Sequence, residues 1–338
     1  MSETEKTQSS RRTWVRDLAE NMPVETTFCV AASGLALDKH GKAFMTLSLA
    51  DRTGTVEGKV WENVQATAAV LKTGTVMMIK GKCQVFQGRR QVVVKSVTPI
   101  DTQTIDWKDF RTEKALDINS LLSKLHGFID SMSDPHLRAL CAVTFLEDSD
   151  VVDRIKRAPA AKSIHHAYPG GLLEHMVSVA TLCDLIAHHY RPYLDRDLLL
   201  VGAFFHDVAK IWELDYTKLT EYTDEGRLIG HLVMGVELID RKIRALESDT
   251  ARGLGPFPEE RRLLAKHMVV AHHGRLDYGS PKEPHVLEAL IVHALDDLDS
   301  KFAQIRDYLE KDESHGNWTQ LHRLFERAFY KPDWARRS

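Results

Sequence analysis

This chain has only four cysteines, Cys29, Cys83, Cys141 and Cys183, and no two of them form a CxxC pair. Each lies in an apolar or alternating context, so buried thiols are expected rather than disulfides or a zinc site. No apolar run is long enough to span a membrane. The first dozen residues are polar and lack the core of a signal peptide, which leaves a cytoplasmic location as the expectation. Strong charge of either sign is missing too. With 45 Lys and Arg against 48 Asp and Glu, no global basic field advertises a polyanionic partner. There is no Gly-rich phosphate loop and no Ser-His-Asp arrangement, which removes two competing designs for a catalytic site.

The charge that is present is uneven. Residues 1–110 carry 15 Lys and Arg against 12 Asp and Glu, and the remainder carries 30 against 36. A polyanion would therefore meet the N-terminal part first. At 338 residues the chain can bury two cores. The expected division is a disordered tail over 1–12, a first domain over 13–102, a linker and connecting helix over 103–134, a second domain over 135–330, and a tail over 331–338.

From Val24 to Ile100 the apolar residues alternate with period two, in the segments Val24–Leu37, Ala43–Asp51, Thr55–Trp61, Thr75–Phe86 and Arg90–Thr98. A helical stretch, Asn63–Leu71, interrupts after the third strand. Five strands with a helix after the third is the order of an OB-fold, a small barrel that often binds oligonucleotides. Alternation turns Met45, Leu47, Leu49, Val56, Gly58, Val60, Met77, Ile79, Cys83 and Val85 inward. It leaves Phe44, Lys59, Trp61, Lys80, Lys82 and Phe86 outside, with Arg89 and Arg90 near a hairpin tip extending the same positive edge. Aromatic rings interleaved with lysines suit a single strand, because rings stack on bases while ammonium groups track phosphates. The plainer alternative packs Trp61 and Phe86 under the helix or against a neighbouring domain.

Beyond Asp117 the period lengthens to that of helices: Asp117–Ser131, Pro135–Glu147, Gly171–Tyr190, Asp197–Ile211, Gly230–Leu246, Pro258–His273, Pro284–Leu309 and Trp318–Phe329. The fold class is thus α+β multidomain, a small five-stranded β-barrel followed by an all-α domain. On these helices histidine and aspartate recur in an order suited to first-row divalent metals. His175, His206, Asp207 and Asp296 can complete one site, and His231 and His272 can complete a second with Asp207 as the bridge. His272 is preferred to its neighbour His273, which is left as a supporting or substrate contact, and Asp296 is preferred to Asp297 because Ala294-Leu295 continue the apolar face. A water between two such ions loses a proton near neutral pH and becomes a nucleophile aimed at phosphorus. Asp207, Lys210 and His273 form the expected catalytic group, with His165, His166 and Arg275 available to a phosphate.

The order His…His-Asp…His…His…Asp resembles the HD-domain superfamily of metal-dependent phosphohydrolases. A closer resemblance, to the YhaM-type 3′→5′ exoribonucleases, is carried by several motifs. They are His165-His166-Ala167-Tyr168-Pro169-Gly170-Gly171-Leu172-Leu173-Glu174-His175, Gly230-His231-Leu232, His272-His273-Gly274, Gly279-Ser280-Pro281, Leu298-Asp299-Ser300-Lys301 and Phe329-Tyr330-Lys331. It covers about residues 13 to 334, and Val208-Ala209 replaces the more usual Ile-Gly after the HD pair. The resemblance implies an N-terminal OB-fold and an HD domain. It also implies stepwise release of 5′-nucleotides from single-stranded RNA, with single-stranded DNA as a further substrate. Two divalent ions are implied, manganese foremost and iron, cobalt or nickel as alternatives, held by His175, His206, Asp207, His231, His272 and Asp296. Two other readings stand beside it: an HD phosphodiesterase acting on free or cyclic nucleotides, and a non-catalytic single-strand-binding adaptor. Apolar helix faces outside the metal residues leave room for a homo-oligomer.

Overall fold

Alternating apolar residues close the N-terminal strands into a barrel. The computed structural model describes residues 12–86, 88–101, 103, 105–111, 114–162, 166–312, 314, 316–322 and 324–332. The chain divides into two units, residues 1–113 with 312–338 and residues 114–311. In the first, β1 (Pro23–Leu37), β2 (Ala43–Asp51), β3 (Gly54–Val60), β4 (Val76–Phe86) and β5 (Arg89–Pro99) close in the order β1-β2-β3-β5-β4, with α1 (Val64–Val70) between β3 and β4. The pairing of β3 with β5 is parallel and the others are antiparallel. Phe28, Val30, Leu47, Leu49, Val60, Ile79, Cys83 and Val92 fill the interior. All four cysteine side chains are buried, and none forms a disulfide among the described residues.

The inward assignments hold for Met45, Leu47, Leu49, Val56, Val60, Met77, Ile79 and Cys83. Val85 is a correction, being 42% exposed. It pairs with Arg90, and Phe86 with Arg89, in a part of the β4–β5 hairpin where Phe86 is also exposed. Period two tells which side a residue faces but not where the barrel interior ends.

At Gly81 the register shifts between β4 and β5. A Cβ there would stand 2.2 Å from the Val93 carbonyl oxygen, which is backbone and cannot yield without opening the ladder. Gly81→Ala is therefore expected to cost the barrel about 1–3 kcal/mol, as overpacking does in a filled core. Denaturant unfolding followed by circular dichroism reads the loss. A variant as stable as wild type would mean that the bulge relaxes freely.

The second unit is helical. Its elements are α2 (Ile118–Asp130), α3 (Pro135–Phe145), α4 (Ser149–Ile155), α5 (Gly171–His189), α6 (Arg196–Phe205), α7 (Lys210–Glu213), a two-residue hairpin β6 (Leu214–Asp215) and β7 (Glu221–Tyr222), α8 (Asp224–Leu228), α9 (His231–Ser248), α10 (Glu259–Ala271) and α11 (Leu287–Lys311). Aspartates cap four of them: Asp117, Asp134, Asp148 and Asp195 each accept from backbone N–H groups of the first turn. Every residue from Asp197 to Phe205 is buried, so α6 runs through the middle of the core, and α5, α10 and α11 pack on it. Among the described residues no helix is long and apolar enough to cross a membrane.

Two helical expectations change. The run Asp197–Ile211 breaks at His206, beyond which Lys210 N–H bonds to the Asp207 carbonyl and Ile211 N–H to that of Val208. Those are the tighter i→i−3 bonds of a turn, not an α-helix. Trp318–Phe329 is not helical either. Its backbone bonds run across a turn, Thr319 N–H to Phe329 O and His322 N–H to Arg327 O, and Glu326 sits at φ +51°, which a helix does not allow.

Candidate metal centre

Helix ends bring the candidate ligands together. His206 stands one residue past α6 and His272 one residue past α10. In both, the ring Nδ1 reaches the carbonyl three residues back in its own helix, Ala203 at 3.0 Å and Val269 at 2.8 Å. Donation from Nδ1 leaves the Nε2 lone pair for the centre. His175, near the start of α5, and His231, first residue of α9, use carboxylates instead. The Nδ1 of His175 lies 2.8 Å from Asp299 Oδ2, and that of His231 lies 2.9 Å from Glu213 Oε1. All four rings thus offer the same nitrogen.

Asp207 stands between them. Its Oδ2 is 3.6 Å from His206 Nε2 and 3.9 Å from His175 Nε2, while its Oδ1 is 3.5 Å from both His231 Nε2 and His272 Nε2. Asp296 Oδ1, from α11, lies 3.1 Å from His175 Nε2 and 4.0 Å from His206 Nε2. His175, His206 and Asp296 therefore form one convergent group, and His231, His272 and His273 another. Asp297 is in neither group and pairs with Lys301 at 2.6 Å.

The donor set fits divalent cations. Asp207 Oδ1 and His231 Nε2 are buried, 3.5 Å apart, and neither has a hydrogen-bond partner among the described residues. Orphaned polar atoms inside a packed protein call for an explanation, and facing an imidazole lone pair the carboxylate oxygen has a natural one in a shared ion. Electrostatics agree. Burial works against charge on His175, yet Asp296 and Asp299 outweigh it and push the ring up to about 10. In His206 burial prevails and the ring falls to about 4. Burial opposes the charge on Asp207, but Lys210 and the surrounding imidazoles hold its carboxyl well below the usual range. The carboxylates that raise His175 equally attract a metal cation.

Beside the centre opens a recess of about 230 Å³, lined by His272, His273, Tyr278, His293, Asp296, Asp297 and Ser300. The matching family models fall one in each unit: an OB-fold nucleic acid binding domain over residues 27–100 and an HD domain over 172–301, which contains all six candidate ligands. The chain is 30% identical to the 3′-5′ exoribonuclease YhaM of Bacillus subtilis over 311 residues, spanning 91% of this chain and 95% of that protein. It is 31% identical to the protein of the same name from Halalkalibacterium halodurans over 318 residues, spanning 92% and 93%. This chain belongs to the YhaM family.

Within this YhaM-family chain the remaining expected site residues fall into distinct places. Lys210 Nζ is 2.6 Å from Asp207 Oδ2, so its charge steadies that carboxylate. His273 Nδ1 reaches the Tyr278 carbonyl at 3.0 Å. Arg275 is exposed, its guanidinium 5.8 Å from the Tyr278 ring centroid. His165 lies outside the described residues. His166 departs from its expected place at a phosphate: it is buried, with Nδ1 2.9 Å from Tyr168 Oη and Nε2 3.3 Å from Asp299 Oδ2. Sequence reasoning missed Glu213 and Asp299 as partners of the histidines. It also missed Tyr278, 62% exposed at the rim of the recess.

On the barrel, Phe44 and Trp61 stack on one another, centroids 4.6 Å apart at 23°, with Lys59 Nζ 5.3 Å from the Phe44 ring. The expected single positive edge splits, because in the barrel order β1 and β5 separate β4 from β2 and β3. Lys80 and Lys82 are exposed on β4, Lys80 paired with Glu25 at 2.6 Å, and Phe86 and Arg89 are exposed at the hairpin. Arg90 donates to the carbonyls of Leu18 at 3.1 Å and Arg16 at 3.2 Å, a tie to the N-terminal segment that competes with phosphate contact.

Proposed function

We propose that this protein is a metal-dependent 3′→5′ exoribonuclease that shortens single-stranded RNA, releasing 5′-nucleotides in the cytoplasm. The observation that carries the reading is Asp207, whose two oxygens face two separate groups of imidazoles beside an open recess. His175, His206, Asp296 and Asp207 would hold one divalent cation, and His231, His272 and Asp207 a second. Manganese is the leading candidate, because imidazole and carboxylate donors together accept it and its first-row neighbours. Such ions supply Lewis acidity toward water and neutralise charge on phosphoryl oxygens.

The chain's own residues do the rest. Lys210 keeps Asp207 charged and oriented. Tyr278, which lines the recess, offers a ring face to a base near the 3′ end, and Arg275 beside that ring meets a backbone phosphate. With its Nδ1 committed to the Tyr278 carbonyl, His273 has Nε2 left to accept a hydrogen bond from a ribose hydroxyl. Phe44, Trp61 and Lys59 hold the strand upstream.

The test is digestion of a 5′-labelled single-stranded RNA with Mn²⁺, beside the same oligonucleotide blocked at its 3′ end, a single-stranded DNA, and free and cyclic nucleotides. A ladder of shortened labelled strands and sparing of the blocked RNA are expected. Internal cleavage, or hydrolysis of the nucleotides alone, overturns the reading in favour of an endonuclease or a nucleotide phosphodiesterase.

A further inference from the structure

Next to His175 the second unit holds a polar network, part of it buried, for which phosphate contact gives no account. Asp299, three residues after Asp296 on α11, holds His175 Nδ1 at 2.8 Å through Oδ2 and accepts from Ser178 Oγ at 2.5 Å through Oδ1. His166 Nε2 approaches the same Oδ2 at 3.3 Å. The other nitrogen of His166 lies 2.9 Å from Tyr168 Oη and 3.2 Å from Glu174 Oε2. Tyr168 donates to Glu174 at 2.5 Å, and Lys114 closes the chain with 2.8 Å to Glu174 Oε1.

The backbone is built for this placement. His166 sits at φ +47°, a conformation that costs a non-glycine residue about 1–3 kcal/mol and persists only where the surroundings enforce it. They do: its carbonyl accepts from Ala160 N–H at 3.1 Å, and a Cβ on Gly171 would stand 2.0 Å from that oxygen. The first turn of α5, which delivers His175, is thus packed directly on the residue that steadies Asp299.

We propose that His166 is a positioning residue for the metal centre: acting through Asp299, it fixes the His175 ring with Nε2 toward the cation and sets cation affinity at the His175–His206–Asp296 group. This rests on the reading that His175 holds a cation. Hydrogen-bond partners of ligating histidines are worth about 10–100-fold in metal affinity. Asp299→Asn is therefore expected to weaken Mn²⁺ binding at one of two sites by about that factor, and His166→Ala, one contact further out, at the same site by a smaller factor. The other site should change little, and the KM for RNA at saturating Mn²⁺ should stay within about twofold, because nothing in the substrate recess is altered. His166→Gln, whose amide can place an N–H beside Asp299, should recover part of the loss.

The measurement is calorimetric Mn²⁺ titration of the metal-stripped full chain, with RNA kinetics across Mn²⁺ concentrations. Wild-type Mn²⁺ affinity in His166→Ala and His166→Gln overturns the proposal, as does a raised RNA KM at saturating metal, which would make His166 a substrate contact. If His166→Ala does not fold, as judged by circular dichroism, His166→Gln and Asp299→Asn carry the comparison. His175→Ala separates the two levels: should it bind Mn²⁺ like wild type at both sites, the ligand assignment itself fails, whatever His166 does.

Discussion

Asp207→Asn is expected to lower RNA turnover by about a thousandfold and to remove tight Mn²⁺ binding from both groups of imidazoles. Asparagine keeps the shape of the side chain, so the change isolates charge and donor type. Its oxygen can serve one side only. If that oxygen faces Lys210 Nζ, now 2.6 Å from Oδ2, the amide nitrogen is driven toward His231 and His272, whose Nε2 atoms lie 3.5 Å from Oδ1 and carry lone pairs. If it faces those imidazoles, two N–H donors meet an ammonium group, and the carboxylate oxygen that faces His206 and His175 is lost as well. The first orientation lets amide N–H groups occupy the lone pairs that a cation would use, and the second sets donors against an ammonium group inside a buried site, where no water relieves them. Calorimetry should show weak, single-phase Mn²⁺ binding, and the digestion assay should show only residual shortening. Mn²⁺-dependent digestion within tenfold of wild type would remove Asp207 from the mechanism.

How far the centre can be read from sequence follows from the range over which each signal acts. Metal chemistry restricts donors to few residue types, so His175, His206, Asp207, His231, His272 and Asp296 could be singled out by type and order. What holds them was hidden. Glu213 stands 18 positions before His231, and Asp299 stands 124 positions after His175. No periodicity links residues so far apart. For His206 and His272 the partners are backbone carbonyls, which carry no residue-type signal at all. A local rule would have found them, since each histidine follows the last residue of an apolar helix and bonds three residues back. Finding that rule requires knowing that α6 stops at Phe205, and the apolar pattern runs on to Ile211 without a break.

His166 shows the opposite failure. Adjacent histidines in a polar loop look exposed and available to phosphate. Burial of the second depends on a left-handed backbone and on the absence of a Cβ at Gly171, features that emerge only when the loop folds onto α5. The barrel was more legible, because alternation over nine residues of β2 and seven of β3 fixes an inner face. Its outer face was less so. Which outward residues share a patch depends on strand order, and the parallel pairing of β3 with β5 cannot be inferred from alternation.

The outer face yields the other large effect. Trp61→Ala is expected to weaken binding of a long single-stranded RNA by about tenfold, within the roughly 1–3 kcal/mol that a base–aromatic stack contributes. Trp61 already stacks on Phe44, yet the residue is 36% exposed, which leaves surface for a base. Phe44→Ala should act through Trp61, by releasing it from its orientation, and the double variant should lose little beyond the larger single loss. Lys59 lies 5.3 Å from the Phe44 ring and 2.7 Å from Glu57 Oε1, so part of its charge is already answered. Lys59→Ala should accordingly lower the salt slope of RNA affinity by about one or less. Substrate length distinguishes a strand-gripping face from a merely structural pair. Loss of upstream grip raises KM for long RNA and leaves kcat unchanged, while a very short oligonucleotide that engages the metal centre alone is digested as by wild type. Should Trp61→Ala instead lower the melting temperature and leave affinity for long RNA intact, the ring pair is packing on the barrel surface and the strand is held elsewhere.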